Sequence, residues 1–438
     1  MSSGVYQSWG RFPRANHEVV ELHHRAGDLS RLPRDRLWLA YGNGRSYGDS
    51  CLNDGGLLIH TRGLDRFVSF DLATGRLVCE SGVLLSEILD ISVPRGWFLS
   101  VTPGTQFVTV GGAIANDVHG KNHHVRGTFG NHVIRFELLR SDGSRCVCST
   151  EENADLFRAT IGGLGLTGLI HWAEIQLRPV SSPFIQAETV RFQSTDEFFA
   201  LSSESDRAHE FTVAWIDCLH RGAQGTRGHF IRGNHAEAGE GDRAALGASR
   251  MLPFPVDPPF SLINRASLRL FNAAYFHRQP RRAVRRLVHY RPFFYPLDGV
   301  LNWNRIYGRR GFFQFQSVVP HANARPALEE MMAAIAKSGQ GSFLAVLKQF
   351  GDVPSPGMLS FPRPGATLAL DFPNAGRPTT DLLECLELIS LAAGGALYPA
   401  KDARMSGKAF RSSYPMLEQF IPFIDPQFSS SFWRRVNA

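Results

Sequence analysis

The chain has 438 residues, of which 43% are hydrophobic and 20% are charged. A chain of this length is longer than one ordinary hydrophobic core accommodates, so two domains are expected. The composition excludes a disordered or fibrous protein. The formal net charge of +7 favours an anionic partner, such as a nucleic acid, a phosphorylated substrate or an anionic membrane surface, without choosing among them.

The cysteines and the N-terminus bear on the cellular compartment. Six cysteines are sparse over this length, and Cys146 and Cys148 have no second pair at zinc-site spacing. The N-terminus lacks the apolar core of a signal peptide, and no run of about 18 apolar residues follows. The sequence therefore predicts reduced thiols in a cytoplasmic protein.

A first glycine-rich turn follows a short predicted strand at residues 37–41. Gly42, Gly44 and Gly48 lie in the segment GNGRSYGDS, whose N–H groups suit a phosphate. The segment is not a dinucleotide-binding fingerprint, because Tyr47 stands where the third glycine would fall and no helix is predicted after it. A phosphate-binding turn and an ordinary connecting turn both fit this pattern.

A second glycine-rich stretch runs from Val101 to His132 and holds six glycines and four histidines. Long loops in compact domains are usually functional, and glycine lets backbone approach a bound planar or phosphorylated group closely. We interpret the stretch as a flavin-binding segment. A metal site is the rival explanation for the histidines, although no H-E-x-x-H spacing is present.

The elements between these loops indicate an α+β fold. A short helix is predicted over Leu84–Val93, and a second over Asn153–Ile161 with an Asn cap. The glycines at 162–168 are preceded by a helix and followed by a strand, which is the reverse of a Rossmann unit. With several strands and short helices, this order predicts an α+β domain and not a doubly wound sheet. A change in composition at 179–183 marks a domain boundary.

The second half of the chain combines strands with a basic segment. Gln314 and Gln316 are two apart in a predicted strand and share one face, which is either a polar pocket or an exposed surface. Lys348 lies among apolar residues of another predicted strand, so it either anchors a phosphate or extends to solvent. A basic strip at apparent helical spacing suits a lipid phosphate, a membrane surface or plain solvation, and consists of Arg278, Arg281, Arg282, Arg285 and Arg286.

In these motifs the sequence resembles the decaprenylphosphoryl-β-D-ribose 2′-oxidase family of vanillyl-alcohol-oxidase-like, FAD-linked oxidoreductases. The similar stretches run in order over nearly the whole chain: GNGRSYGD, PGTQFVTVGGAIANDVHGKNHH, TFGNHV, DLFRATIGGLGLTGLI, VAWIDC, WNRIYG, QFQSVVP, FLAVLKQFG, LSFP, LDFP and LYPAKD. The long histidine-bearing stretch is specific to the family, whereas the short ones mean little alone.

The resemblance implies an α+β fold with a PCMH-type FAD-binding domain at residues 1–181, to which residues 396–438 return. Residues 182–395 would form a substrate domain built on an antiparallel sheet. The implied reaction is FAD-dependent oxidation of the 2′-hydroxyl of a polyprenylphosphoryl-β-D-ribose to the 2′-keto sugar, the first half of an epimerisation that makes an arabinose donor for cell-wall or surface glycans. A short-chain NAD(P)H-dependent reductase would complete it, and the inner face of the membrane is an expected place of contact.

The resemblance also assigns residues. It implies catalytic roles for Lys401, Tyr47 and His119, and substrate contacts for Lys121, Trp215, Gln314, Gln316 and Lys348. It implies a cofactor site formed by Ala40, Tyr41, Gly42, Asn43, Gly44, Arg45, Ser46, Tyr47, Gly48, Asp49, Ser50, Gly104, Thr105, Thr109, Val110, Gly111, Gly112, Asn116, Asp117, Val118, His119, Ile170 and Tyr398.

Three residues depart from the family pattern. Thr367 and Ala369 stand where actinobacterial members carry an Asn and a Cys, which bears on sugar or lipid specificity and removes the thiol that covalent inhibitors attack. Arg45 replaces the superfamily's flavin-linking histidine, so FAD is expected to be non-covalent, and no metal is expected. The alternatives are an FAD oxidase of a free sugar lactone or alditol, a histidine-cluster metal protein, and a basic nucleic-acid-binding module, although no nucleic-acid-binding motif is present.

Overall fold

The computed structural model describes residues 6–23, 29–220, 222, 225–239 and 252–438. The strands are, in chain order, β1 (Glu18–Glu21), β2 (Trp38–Tyr41), β3 (Leu57–His60), β4 (Phe67–Asp71), β5 (Arg76–Glu80), β6 (Trp97–Leu99), β7 (Val133–Leu139), β8 (Arg145–Ser149), β9 (Leu169–Pro179), β10 (Phe184–Phe192), β11 (Phe211–Ile216), β12 (Gly228–His235), β13 (Leu252–Pro253), β14 (Ala283–His289), β15 (Val300–Leu301), β16 (Phe312–Val319), β17 (Val346–Phe350), β18 (Gly365–Pro373) and β19 (Ala396–Leu397).

The helices are mostly short in the first half of the chain and longer in the second. They are α1 (Leu85–Ser92), α2 (Val110–Ala115), α3 (His123–Arg126), α4 (Ala154–Thr160), α5 (Thr195–Ser205), α6 (Arg265–His277), α7 (Tyr290–Phe294), α8 (His321–Ser338), α9 (Arg377–Ala392), α10 (Gly407–Ser413), α11 (Leu417–Phe420) and α12 (Ser431–Val436). None of the described helices is long and apolar enough to cross a bilayer.

The first half of the chain builds two sheets. A small parallel sheet has the order β1-β3-β2, and an antiparallel sheet has the order β4-β5-β9-β7-β8, with β6 pairing with β9. Strand β9 is buried along most of its length, because α1, α2 and α4 contribute Ile88, Ile114 and Phe157 to the same apolar core. This packing fixes the ends of the loops on either side of α2.

The second half builds an antiparallel sheet of order β14-β10-β12-β11-β17-β18-β16-β19, and β13 and β15 form a separate parallel pair. Phe313 and Phe315 of β16 pack in one core with side chains of α8 and α9, including Met331 and Leu386. Successive side chains of a strand point to opposite faces, so Gln314 and Gln316 lie on the other face of the sheet. These sheets and helices confirm the predicted α+β fold.

The C-terminal segment contacts both halves. Ala396–Leu397 pairs with β16, whereas Phe428 bridges to Trp38 of β2. Arg435 of α12 donates to both carboxylate oxygens of Asp49 at 2.8 Å, and to Asp402 at 3.0 Å. The end of the chain therefore fastens the first glycine-rich turn to the segment that carries Lys401.

One sequence prediction of local structure is wrong, and a second is confirmed in position only. The arginine strip is not helical: α6 ends at His277, and β14 pairs with β10, opposing Arg285 to Glu188. Pro280 has no backbone N–H with which to continue a helix. The backbone groups of the residues after it find their hydrogen-bond partners in β10 instead. Asn153 does precede α4, but its amide donates to Val147 O at 2.8 Å and makes no cap hydrogen bond.

Candidate active site

A cavity of ≈ 380 Å³ lies between the glycine-rich segments and the inner face of β16–β18. This volume is within the range of small-molecule sites, which are usually clefts with a few converging polar groups. Of the residues assigned to the cofactor by resemblance, those on the cavity wall are Ala40, Gly42, Asn43, Gly44, Arg45, Ser46, Tyr47, Ser50, Gly104, Thr105, Thr109, Gly111, Gly112, Asn116, Val118, His119, Ile170 and Tyr398.

The first wall is the turn after β2. Among the described residues, no protein acceptor receives a hydrogen bond from the backbone N–H groups of Asn43, Gly44, Arg45 or Ser46. Gly44 has φ +59°, a left-handed conformation that glycine adopts with little cost, and a Cβ there would collide with the Tyr41 hydroxyl. The turn thus presents a run of free donors, which suits phosphate oxygens.

The second wall is the start of α2. Thr109 caps this helix and accepts from Gly112 N at 3.1 Å, while the N–H groups of Val110 and Gly111 donate to Val83 O and Ser81 O. These donors are already used within the protein. The glycines at 111 and 112 therefore allow the backbone to come close to a bound group, and their N–H groups do not bind it.

The cavity wall fits a flavin nucleotide. The hydroxyl groups of Ser50 and Ser81 are buried on this wall without a hydrogen-bond partner, which is uncommon unless a ligand or water completes them. Val118, Ile170 and Tyr398 add apolar surface on which a planar ring can lie. Free donors at the turn, unpaired hydroxyls and an apolar wall together match the phosphates, ribityl chain and ring of FAD.

The floor of the cavity is formed by facing side chains of three adjacent strands. Gln314 pairs across β16 and β18 with Asp371, and Gln316 with Ala369. Lys348 of β17 pairs with Thr367 of β18. The polar-pocket interpretation of the two glutamines is therefore correct, since Gln316 is only 6% exposed and both residues line the cavity.

His119 connects the glycine-rich stretch to this floor. Its Nε2 lies 3.0 Å from Gln316 Nε2, and its Nδ1 lies 3.3 Å from Lys348 Nζ, which also donates to Gly120 O at 3.2 Å. Gln316 Nε2 is 3.3 Å from Thr367 Oγ1. Burial, with the ammonium of Lys348 nearby, lowers the pKa of His119 well below its usual range, so the imidazole is neutral.

Lys401 lies beside an aromatic ring and within electrostatic range of a buried acid. Its Nζ is 3.8 Å from the ring centre of Tyr47, whose backbone N–H donates to Ala400 O. Gln314 donates to Asp371 Oδ1 at 2.6 Å, while the buried Asp371 Oδ2 has no hydrogen-bond partner. Burial lowers the pKa of Lys401 and raises that of Asp371, and each charge offsets part of the other's shift. The pair can hold or release a proton near neutral pH.

Some assigned residues lie away from the cavity wall. Lys121 turns towards α7 and donates to the carbonyl oxygens of Phe293 and Phe294, and Trp215 donates from Nε1 to Phe343 O at 2.8 Å. Neither side chain lines the cavity. Behind the wall stand Tyr41, Gly48, Asp49, Val110 and Asp117.

The other three histidines of the second glycine-rich stretch do not line the cavity. His123 packs against Phe350 at 4.4 Å between ring centres, His124 contacts His209 O, and His132 contacts Arg126 O. Within the described ranges, no group of three or more His, Cys, Asp or Glu side chains is placed to hold a metal ion.

Several wall residues had no assignment from the sequence. Asp298, in the turn before β15, accepts from Gln106 N at 2.9 Å and lines the cavity, as do Trp303 and Val346. No local pattern marks Asp298. Asp371, which lies behind the wall against Gln314, had a signal, because an acid within the apolar strand ATLALDFP is unusual, but its pairing with Gln314 depends on sheet register.

Comparisons with known proteins agree with this geometry. Residues 30–149 match the family described as FAD binding domain. The chain is 36% identical over 418 residues to decaprenylphosphoryl-β-D-ribose oxidase of Mycolicibacterium smegmatis, covering 91% of this chain and 89% of that protein. An uncharacterised Streptomyces coelicolor protein is 34% identical over 81% of this chain and 100% of its own length. L-gulonolactone oxidase of Mus musculus is 31% identical, but over only 40% of each chain.

The matched domain contains both glycine-rich walls, and the long alignment also includes the sheet that forms the cavity floor. The cofactor is FAD, and the protein is an oxidoreductase. From this agreement of site and sequence, the chain belongs to the decaprenylphosphoryl-β-D-ribose oxidase family.

Proposed function

We propose that the protein oxidises the 2′-hydroxyl of a polyprenylphosphoryl-β-D-ribose to the 2′-keto sugar, as the first half of an epimerisation to an arabinose donor for cell-wall or surface glycans. The observation that carries the proposal is the cavity floor, where Lys348, Gln316 and Lys401 line the cavity opposite the FAD-binding walls and Asp371 lies behind them against Gln314. Two lysines beside amide groups suit a sugar that carries a phosphate. Similarity to the named oxidase over 91% of this chain supports the same substrate class.

The residues have distinct roles in this proposal. FAD, when bound, supplies the acceptor for the hydride that leaves the C–H bond. Lys401 in its neutral form takes the hydroxyl proton at Nζ, and Asp371 stabilises the resulting ammonium. Lys348 and Gln316 hold the sugar hydroxyls or the phosphate, and Tyr47 positions Lys401 through its ring. Loss of the hydride from carbon and of the proton from oxygen converts the alcohol into a ketone.

The test is anaerobic bleaching of the flavin by a panel of substrates. We expect rapid loss of the oxidised-flavin absorption with polyprenylphosphoryl-β-D-ribose, and little with free gulonolactone, arabinonolactone or an alditol. Equal or faster bleaching by the free lactone or alditol would replace the proposal with an oxidase of soluble sugars.

We also propose that the keto sugar passes to a short-chain NAD(P)H-dependent reductase. The cavity wall has the features of one flavin site, which takes up the hydride in the oxidation. Reduction of the keto sugar to the epimer then needs a separate hydride donor. The purified oxidase should accumulate only the keto sugar, and adding a reductase with NADPH should yield the arabinose epimer. Formation of the epimer by the oxidase alone would contradict this partnership.

The protein is proposed to act in the cytoplasm at the inner face of the membrane, where a polyprenyl-linked substrate would be embedded. Cell fractionation should recover it with membranes at low salt and release it at high salt, since a peripheral contact made by arginines weakens with ionic strength.

A further inference from the structure

Exposed apolar side chains are concentrated in one part of the described chain. Eight of the fifteen large apolar residues that are exposed in the described ranges fall between residues 252 and 300. Phe260 is 68% exposed and Leu270 is 75% exposed, so neither contributes to a core. We use the name rim surface for this segment's exposed residues Leu252, Val256, Phe260, Leu262, Leu270 and Phe271.

Backbone contacts join the segment of the rim surface to residues 300–306, four of which line the cavity. Leu252 pairs with Val300, and Phe254 N donates to Leu301 O at 2.8 Å. Leu262 N donates to Ile306 O at 2.9 Å. Residues 300–303 line the cavity, so exposed apolar side chains and the cavity wall belong to the same layer. An apolar chain that left the cavity beside residues 300–303 would therefore meet exposed apolar side chains of the rim surface.

The segment that carries the rim surface has a strongly positive net charge. Residues 252–310 contain eleven arginines, two aspartates and no lysine or glutamate. Asp257 is paired with Arg11, and Asp298 is buried beside the cavity. Arg265 and Arg269 are exposed on α6, the helix that carries Leu270, and neither has an ion-pair partner among the described residues. Exposed apolar groups beside unpaired arginines are the composition of surfaces that rest on anionic lipid.

We propose that the rim surface docks on an anionic lipid bilayer, with Phe260 and Leu270 entering the interface and Arg265 and Arg269 contacting lipid phosphates. The inference rests on the proposed lipid-linked substrate and identifies the face of the protein from which that substrate enters the cavity. Its polyprenyl chain remains in the bilayer while the phosphoryl sugar enters the cavity between residues 300–303 and the cavity floor.

The experiment is flotation of the FAD-loaded protein with vesicles in which one third of the lipid is phosphatidylglycerol and the rest is phosphatidylcholine. The unaltered protein should float with these vesicles and not with pure phosphatidylcholine. The double variants Phe260→Ser/Leu270→Ser and Arg265→Glu/Arg269→Glu should each lower the bound fraction about tenfold. The control is Leu388→Ser, because Leu388 is 61% exposed on α9, which packs on the sheet face away from the cavity.

A substrate comparison separates this inference from the proposed function. Flavin bleaching by long-chain substrate embedded in vesicles should slow in the rim variants, whereas bleaching by a short-chain, water-soluble phosphoryl ribose should be unchanged. No flotation by the unaltered protein, or equal losses in Leu388→Ser, would overturn the docking surface. Flotation without bleaching by either substrate would overturn the proposed function and leave the docking surface standing.

Discussion

His119 lies between two nitrogen atoms, Gln316 Nε2 and Lys348 Nζ, although a neutral imidazole has one donor and one acceptor nitrogen. The ammonium of Lys348 can only donate, so Nδ1 is the acceptor and Nε2 carries the proton. The Gln316 amide must then turn its oxygen towards His119 Nε2 and Thr367 Oγ1. This places the Gln316 NH₂ group and a Lys348 N–H where both can donate to substrate oxygens.

Replacing Thr367 tests this direction of hydrogen bonding. Thr367→Val keeps the shape but removes the hydroxyl, so we expect kcat/KM for the phosphoryl sugar to fall about fivefold, the value of one hydrogen bond of about 1 kcal/mol. Thr367→Ser keeps the hydroxyl and should behave like the unaltered protein. Equal kinetics of the Val and Ser variants would show that the Thr367 hydroxyl does not orient Gln316.

Removing the Lys401 ammonium should stop the chemical step without unfolding the protein. Lys401→Ala deletes the proposed proton acceptor, and we expect the rate of anaerobic flavin reduction to fall about 10²-fold or more. Far-UV circular dichroism and bound FAD should be unchanged. Near-normal bleaching in this variant would remove Lys401 from the mechanism.

Arg45 stands where the superfamily's linking histidine would be, and its guanidinium lies 4.5 Å from the ring centre of Trp9. A guanidinium does not form the bond to flavin that an imidazole forms. Acid precipitation of the purified protein should therefore leave yellow FAD in the supernatant. A pellet that retains the colour after washing would mean that another side chain holds the flavin covalently.

At the scale of elements, the site depends on two strand registers and one anchored helix. The register of β16, β17 and β18 brings Gln316, Lys348 and Thr367 onto one face, and a shift by one residue would turn all three away from the cavity. Lys401 follows β19, whose pairing with β16 continues the same sheet. Helix α12 then joins this segment to the first glycine-rich turn through Arg435.

Arg435→Ala should weaken both stability and FAD binding. Asp49 is 3% exposed and would keep a buried carboxylate without its partner, which costs about 3 kcal/mol in comparable sites. The midpoint of urea unfolding should fall and the Kd for FAD should rise, while Arg411→Ala on the exposed face of α10 should change neither. An unchanged Kd for FAD would show that the anchor acts on stability alone.

At the scale of the whole molecule, several buried cations set the dependence of stability on pH. Burial lowers the pKa of Lys121 to about 7 and of Lys348 to about 8. Lysine in an unfolded chain titrates near pH ~10.4, so above pH ~7 the unfolded state binds more protons than the folded state. The free energy of unfolding should therefore increase as pH rises from the folded pKa values towards the unfolded one.

Urea unfolding at saturating FAD, followed between pH 6.5 and 8, measures this effect, and the midpoint should move to higher urea concentration. This window ends before the thiols of the unfolded chain ionise near pH ~8.5, which acts in the opposite direction. Lys121→Met should reduce the slope because one of the titrating groups is gone. A midpoint that falls with pH would contradict the assignment of buried, easily deprotonated lysines.

The sequence by itself determined the features that depend on a few neighbouring residues. The glycine-rich turn at 42–48, the stretch at 101–132 and the alternation of Gln314 and Gln316 with phenylalanines predicted an FAD-binding α+β protein with a polar strand face. Backbone freedom at glycine and the two-residue period of a strand are local properties, so they can be recognised without a fold.

Only the tertiary structure decided which distant residues meet. The neighbourhood of Lys401 and Asp371, the place of Asp298 on the cavity wall, and the turning of Lys121 and Trp215 away from it all depend on sheet register and packing between remote segments. The same holds for the arginine strip, which has helical spacing but lies partly in β14 because β10 offers hydrogen-bond partners. Local pattern specifies what a segment can form, and the free energy of burying and pairing it against the rest of the chain selects what it does form.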